Sequence, residues 1–218
     1  MNYWNDEVYS KGLQFNNWPY IELLSIVNSI KDPQSTRETL LEIGCGVGNN
    51  LIPLVGIGLE CSGIDISTTA INEARSRAKK LGIDLNLLVG DIQNLSFKDA
   101  SFHYVVDRSV ITCLDEGLIS KAISEVHRVL KPRGYFVAVD WFGSNHPDLK
   151  FGKKVSNYSY SGFKSGNFRN VDTITVFDFN RINKLFAGFE TYFIKRHRTT
   201  NYRNAIVDER YSLVMQKP

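Results

Sequence analysis

The stretch "LLEIGCGVGNN", Leu40 to Asn50, places three glycines in five positions directly after an apolar run. Glycine in an ordered segment costs roughly 0.5–1 kcal/mol against alanine, so this spacing demands either a turn that no other residue makes or a ligand lying on bare backbone. The surrounding pattern is that of a strand feeding a helix, and it recurs along the chain. Buried strands are expected at "TLLEI" (Thr39 to Ile43), "CSGID" (Cys61 to Asp65), "LNLLVGD" (Leu85 to Asp91), "FHYVVD" (Phe102 to Asp107) and "YFVAVD" (Tyr135 to Asp140). Helical patterns separate them. One has Ser67 as its N-cap, carries Ile71, Ala74, Ala78 and Leu81, and ends at Gly82. A second groups Leu118, Ala122, Ile123, Val126 and Leu130 and is expected to stop at Pro132. Alternation of this kind implies a parallel sheet wound on both faces. Near the end, "FETYFIK" and "YSLVMQK" are two strands with no helix between them, hence antiparallel.

At 218 residues the chain fits one domain. Within it the sequence divides into an N-terminal aromatic-rich cap (1–31, with a helix expected over Pro19 to Ile30), a cofactor-binding core (39–140), a substrate lid (144–175) and a C-terminal part (176–218, with a helix near Asp178 to Ala187). A net charge of +3 carries no strong nucleic-acid signal. The opening "MNYWNDEVYSKG" has no basic-then-apolar leader and no stretch reaches membrane-span length, so the chain reads as cytoplasmic, with no membrane partner. Cys45, Cys61 and Cys113 have no close pairing or histidine cluster, so neither disulfide nor metal site is expected and the three read as apolar fillers.

The glycines do not fit the dinucleotide fingerprint G-x-G-x-x-G: the third comes early, at Gly48, and Asn49 stands where that pattern has glycine. Glu42 is a second departure, because a carboxylate beside a pyrophosphate is repulsive. Asp65, about 20 residues beyond the glycines at the end of the second strand, has the spacing of a ribose-binding acid. Asp91 closes the third strand, where it can accept from an exocyclic amine while Ile66 and Ile92 flank a flat base. Together these features ask for an adenosine, no phosphate and a cationic tail.

In this combination the chain resembles the class I S-adenosylmethionine-dependent methyltransferases, over residues 39 to 140. The glycine loop is similar to their first motif, "GIDIS" (Gly63 to Ser67) to the second, "VGDIQNLSF" (Val89 to Phe97) to the third and "FHYVVDRSVITCL" (Phe102 to Leu114) to the fourth. "EVHRVLKPRGYFVAV" (Glu125 to Val139) resembles the helix and strand that follow. The resemblance implies a Rossmann-like α/β fold: a doubly wound sheet of seven strands, mostly parallel with an antiparallel C-terminal strand. It implies S-adenosyl-L-methionine as cofactor, with Gly44, Cys45, Gly46, Gly48 and Asn49 under the methionine portion and Glu42 near its ammonium. Asp65 is then at the ribose, Asp91 and Ile92 at the adenine with Ile66 flanking the base, and Asp107, Arg108 and Ser109 under the sulfonium.

For the acceptor the expectation is a small molecule. His146, in a loop after the fifth strand, and Asp107 are the candidate catalytic residues. "FGKKVSNYSYSGFKSGNFRN" (Phe151 to Asn170) has no acid, and it is expected to be a mobile lid whose Lys153 and Lys154 favour an anionic acceptor such as a phosphorylated metabolite or nucleotide sugar. "KRHRTTNYR" (Lys195 to Arg203) reads as a solvated hairpin tip. Tyr3, Trp4 and Trp18 either close over the sulfonium or staple the cap to the sheet. Two other readings stay open: a methyltransferase acting on RNA or protein, and a non-catalytic module that senses the cofactor or binds a partner.

Overall fold

A computed structural model describes residues 3–35, 37–169 and 171–218, so the start of the expected cap and Asn170 of the expected lid lie outside the described residues. In chain order the elements are α1 (Ile21–Ile30), β1 (Glu38–Ile43), α2 (Leu51–Gly56), β2 (Leu59–Asp65), α3 (Thr68–Leu81), β3 (Asn86–Val89), β4 (Phe102–Arg108), α4 (Glu116–Val129), β5 (Leu130–Phe142), β6 (Lys153–Lys154), β7 (Ser159–Ser161), β8 (Thr173–Thr175), α5 (Phe179–Leu185), β9 (Glu190–Thr200) and β10 (Ile206–Gln216). The main sheet has the order β3-β2-β1-β4-β5-β10-β9. Strands β1 to β5 pair in parallel, and β10 slots antiparallel between β5 and β9. The order reverses between β1 and β4, and ligands of open α/β sheets bind at the carboxyl ends of strands at such a reversal.

Neighbouring residues on a strand face opposite sides, which is why these strands are apolar throughout. Leu40 and Val106 pack with Leu23, Leu51 and Ile71 on the α1–α3 side, whereas Leu41 and Val105 pack with Ile119, Val126 and Ile182 on the α4–α5 side. Helix α3 keeps its expected caps: Ser67 Oγ accepts from the Ala70 N–H at 3.1 Å, and Gly82 takes a left-handed φ of +67°. Cys45 and Cys61 are buried fillers of the α1–α3 side, and burial pushes the Cys61 thiol up to about 12.

Three expectations change. Helix α4 ends at Val129, and Leu130, expected on its apolar face, instead opens β5; Lys217 Nζ donates to the carbonyls of His127 and Leu130 at 2.8 Å each at this junction. Pro132 then lies within β5, where the register against β4 slips between Leu130 and Tyr135 and no ladder N–H is required of it. Most of the basic stretch Lys195–Arg203 is not a hairpin tip. It runs along β9 to Thr200 and lines the sheet edge, where charge discourages further strand pairing. The described residues of 144–175, expected as a lid, fold as an insertion with its own small core: a 3₁₀ turn and an antiparallel β6-β7-β8 sheet surround Leu149, Phe163, Phe168, Ile174 and Val176. Among the described residues no helix is long and apolar enough to cross a membrane.

Candidate active site

A cavity of about 800 Å³ opens at the carboxyl ends of β1, β2, β4 and β5. Glu42, Gly44, Cys45, Gly46, Asn49, Asp65, Ile66, Asp91, Ile92, Arg108 and Ser109 all line it. The segment before α1 adds Trp4, Tyr9, Trp18 and Tyr20, the insertion adds Phe168, Val171 and Ile174, and β10 adds Arg210. Its volume lies within the roughly 300–1,000 Å³ of small-molecule sites.

The loop makes the turn that the glycines imply, and its bare backbone at Gly44 and Gly46 lines the cavity. Gly44, Gly46 and Gly48 have φ of +63°, +53° and +82°, a region in which residues with a Cβ are strained. A Cβ on Gly46 would stand 2.6 Å from the Tyr9 hydroxyl, so bare backbone here faces a ring inside the cavity. Gly48 faces away: its nearest neighbour would be Ala74 of α3 at 3.5 Å, and it serves the turn and helix packing instead of a ligand. The Gly46 N–H donates to Asp65 Oδ2 at 2.9 Å and the Ser67 N–H to Oδ1 at 2.8 Å. The loop therefore holds the carboxylate in place, and each oxygen keeps a lone pair for a hydroxyl. Burial raises the Asp65 carboxyl, and the two backbone donors oppose that rise.

Glu42 is 2% exposed. Its Oε1 accepts from Asn50 Nδ2 at 2.6 Å, while Oε2 has no hydrogen-bond partner among the described residues. Burial pushes this carboxyl up to about 8; the Asn50 bond opposes the rise, Asp107 and Asp65 add to it, and Arg108 counters it. A buried carboxylate oxygen lacking a donor is costly, and a cationic N–H donor entering the cavity removes that cost. At the β3 end Asp91 accepts from the Gln93 N–H at 2.9 Å, close to buried Ile92 and half-exposed Ile66. An ammonium at Glu42, hydroxyls at Asp65 and a flat base near Asp91 and the two isoleucines form a donor set that fits S-adenosylmethionine without a phosphate-binding element.

Several expected roles are not supported by position. Asp107 lies beneath the cavity, fully buried, accepting from the Val110 N–H at 2.8 Å, the Ile111 N–H at 3.4 Å and Trp141 Nε1 at 2.6 Å. Those bonds make it the anchor of the turn after β4 and leave no face for a substrate, although burial pushes its carboxyl up to about 6. His146 also lies outside the cavity wall. Its Nδ1 accepts from the Asp148 N–H at 3.2 Å, its Nε2 lies 3.0 Å from Asp208 Oδ1, and its ring packs between Phe142 and Phe168. Lys153 and Lys154 are exposed on β6, paired with Ser161 and Tyr160, and neither lines the cavity. Of the three cap aromatics, Trp4 and Trp18 line the cavity; Tyr3 instead packs edge-on against Trp4.

Tyr9, Tyr20, Asp140, Phe168 and Arg210 are cavity residues that sequence reasoning missed. Asp140 is the least expected. Between Tyr211 and Leu213 the β10 register slips so that Ser212 faces both Val139 and Asp140, a bulge in β5 that turns Asp140 to a left-handed φ of +66°. Ser109, with φ +60° at the end of β4, donates its hydroxyl to the Asp140 carbonyl. Non-glycine residues in this conformation cost about 1–3 kcal/mol each and concentrate at functional sites. The Asp140 carboxylate, 2% exposed, accepts from the Tyr20 hydroxyl at 3.1 Å, lies 2.9 Å from Arg108 Nη2 and pairs with Arg210 Nη1.

Residues 40–134 match the family described as methyltransferase domain. Norajmaline N-methyltransferase of Rauvolfia serpentina is 31% identical over 127 residues, covering 57% of this chain and 43% of its own. This chain spans less than two thirds of the length of the first curated relatives it matches. A S-adenosylmethionine-dependent methyltransferase of Methanosarcina mazei superposes with a TM-score of 0.73 at 22% identity, covering 88% of this chain and 96% of the other. A protein of Pyrococcus horikoshii superposes at 0.70 with 26% identity, covering 91% and 89%.

Proposed function

We propose, from the premise that this chain has the class I S-adenosylmethionine-dependent methyltransferase fold and a methyltransferase domain at residues 40–134, that it transfers a methyl group to a small-molecule acceptor, anionic in character. The observation that carries this reading is one continuous cavity with acids at one end and an apolar wall bearing arginines at the other. Glu42 receives the cofactor's ammonium, the backbone of Gly44 to Gly46 lies under the methionine chain, Asp65 holds the ribose hydroxyls, and Asp91 with Ile66 and Ile92 holds the adenine. Arg108 and Ser109 border the reacting end.

When bound, the cofactor supplies a methyl group on a sulfonium, an already activated leaving group. What the chain contributes is alignment and the exclusion of water, and good alignment is worth about 7–11 kcal/mol. Trp4, Tyr9, Trp18 and Tyr20 close one side of the cavity and Phe168, Val171 and Ile174 the other. No histidine lines it among the described residues, and an amine, a thiol or an acidic hydroxyl is an acceptor that attacks with little help from a base. The cofactor relationship is tested by calorimetry with S-adenosylhomocysteine against NADP, and the activity by labelled-methyl transfer to a metabolite panel. Binding of the thioether with no response to NADP, followed by label in a small molecule, is the expected result. Preference for NADP, or label only in RNA or protein, overturns it.

A further inference from the structure

We infer that the acceptor is a monocarboxylate with a flat apolar body, and that Arg108 and Arg210, set by Asp140, determine specificity by gripping its carboxylate. This rests on the methyltransferase reading above and specifies the acceptor's chemistry. The two guanidiniums reach the cavity from different strands, β4 and β10, and meet on opposite oxygens of one buried carboxylate: Arg108 Nη2 lies 2.9 Å from Asp140 Oδ2, and Arg210 Nη1 pairs with Oδ1. The bulge that turns Asp140 inward is what brings them together.

Charge and free donors then select the ligand. Arg210 Nε is taken by Asp208 at 2.9 Å, and that aspartate also contacts His146 behind the cavity wall. Among the described residues Arg210 Nη2 and Arg108 Nε and Nη1 have no hydrogen-bond partner. Arg108 and Arg210 face two carboxylates, Asp140 and Asp208, so the cluster is formally neutral and its free guanidinium donors take a monoanion at less electrostatic cost than a dianionic phosphate; the other acids of the wall, Glu42, Asp65 and Asp91, belong to the cofactor end. Guanidinium forks match carboxylates in geometry. Each fork is braced by an aromatic ring: Arg108 lies 5.3 Å from the Tyr20 ring centroid, and Arg210 5.5 Å from that of Phe142. Beside them Phe142, Phe168, Val171 and Ile174 provide the apolar surface against which a flat body packs.

The test titrates protein saturated with S-adenosylhomocysteine against a panel of aryl and alkenyl monocarboxylic acids, their amides, and phenyl phosphate, by calorimetry. Acids are expected to bind at least ten-fold more tightly than the matching amides. R108M and R210M, measured separately, should each erase that preference, R210M should leave S-adenosylhomocysteine affinity within two-fold, and K153Q/K154Q should keep the preference. The inference is overturned if no acid binds, if acids and amides bind alike, if phenyl phosphate outcompetes every acid, or if both arginine variants retain the preference. Failure of the wild-type protein to bind S-adenosylhomocysteine strikes the underlying methyltransferase reading instead. R108M, which removes the more exposed arginine, keeps the test decisive if R210M does not fold.

Discussion

Binding of the cofactor product should expel a proton, and Glu42 is its source. In the empty protein this carboxyl sits near 8 instead of its ordinary 4.5, so at pH 7 the protonated form outnumbers the ionised form by about ten to one. An ammonium placed against Oε2 favours the ionised form and drives that proton out. S-adenosylhomocysteine binding at pH 7 should therefore release about 0.9 proton, falling to about 0.1 at pH 9, and affinity should rise close to ten-fold per pH unit below 8. Calorimetry in phosphate and in Tris at one pH separates this from intrinsic heat, because the observed enthalpy changes with buffer ionisation enthalpy in proportion to the protons released. E42Q should abolish the release and weaken binding. The sign also governs the empty protein. A raised folded-state pKa means that the folded chain holds a proton the unfolded chain has lost, so between pH 4.5 and 8 this group lowers stability by about 1.4 kcal/mol per unit as pH rises. Asp107 and Asp65 push the same way and Arg108 against, so an R108M background should release slightly more proton. Equal proton release by wild type and E42Q, or none in either, would refute the assignment.

Two further outcomes test the loop and the discarded base. Substituting Gly46 with Ala forces a residue with a Cβ to φ +53° and sets a methyl 2.6 Å from the Tyr9 hydroxyl; stability should fall by about 1–2 kcal/mol and S-adenosylhomocysteine affinity by ten-fold or more, read by thermal denaturation and titration. Unchanged values in both would show that Tyr9 does not lie over the glycine loop. H146A should lower stability by about 2–4 kcal/mol through lost packing against Phe142 and Phe168, yet leave kcat within two-fold at a temperature where both proteins are folded. Loss of about 100-fold or more in kcat at unchanged stability would instead restore a general-base role.

The cofactor end was legible because its signals are local. Strand, glycine turn and helix cap lie within a few residues of one another, and Glu42 precedes the end of β1, Asp65 ends β2 and Asp91 follows β3 by two residues, all at strand ends that hydrophobic pattern already marks. The acceptor end was not. Arg210 and Asp140 are 70 residues apart and meet only because β10 inserts beside β5 with a one-residue slip, which no period in the sequence announces. His146 was misjudged for a related reason. Its loop does follow a strand at the ligand-bearing end, but the ring is buried by Phe168 from the insertion and contacted by Asp208 from β10. Lys153 and Lys154 drew attention through composition alone, whereas their distance from the cavity depends on how the insertion folds as a small sheet.

The placement of β10 separates the two halves of the cavity in order of synthesis. The acids proposed for the cofactor, Glu42, Asp65 and Asp91, all lie within the first 91 residues, but the wall carrying Arg210 comes into being only when the final strand is threaded between two others already made. A chain cut short before residue 206 would retain the acids that address the cofactor and lose the counterpart of Asp140. Recognition of what donates the methyl and of what accepts it can thus drift independently along this polypeptide, the first confined to its front and the second dependent on its tail.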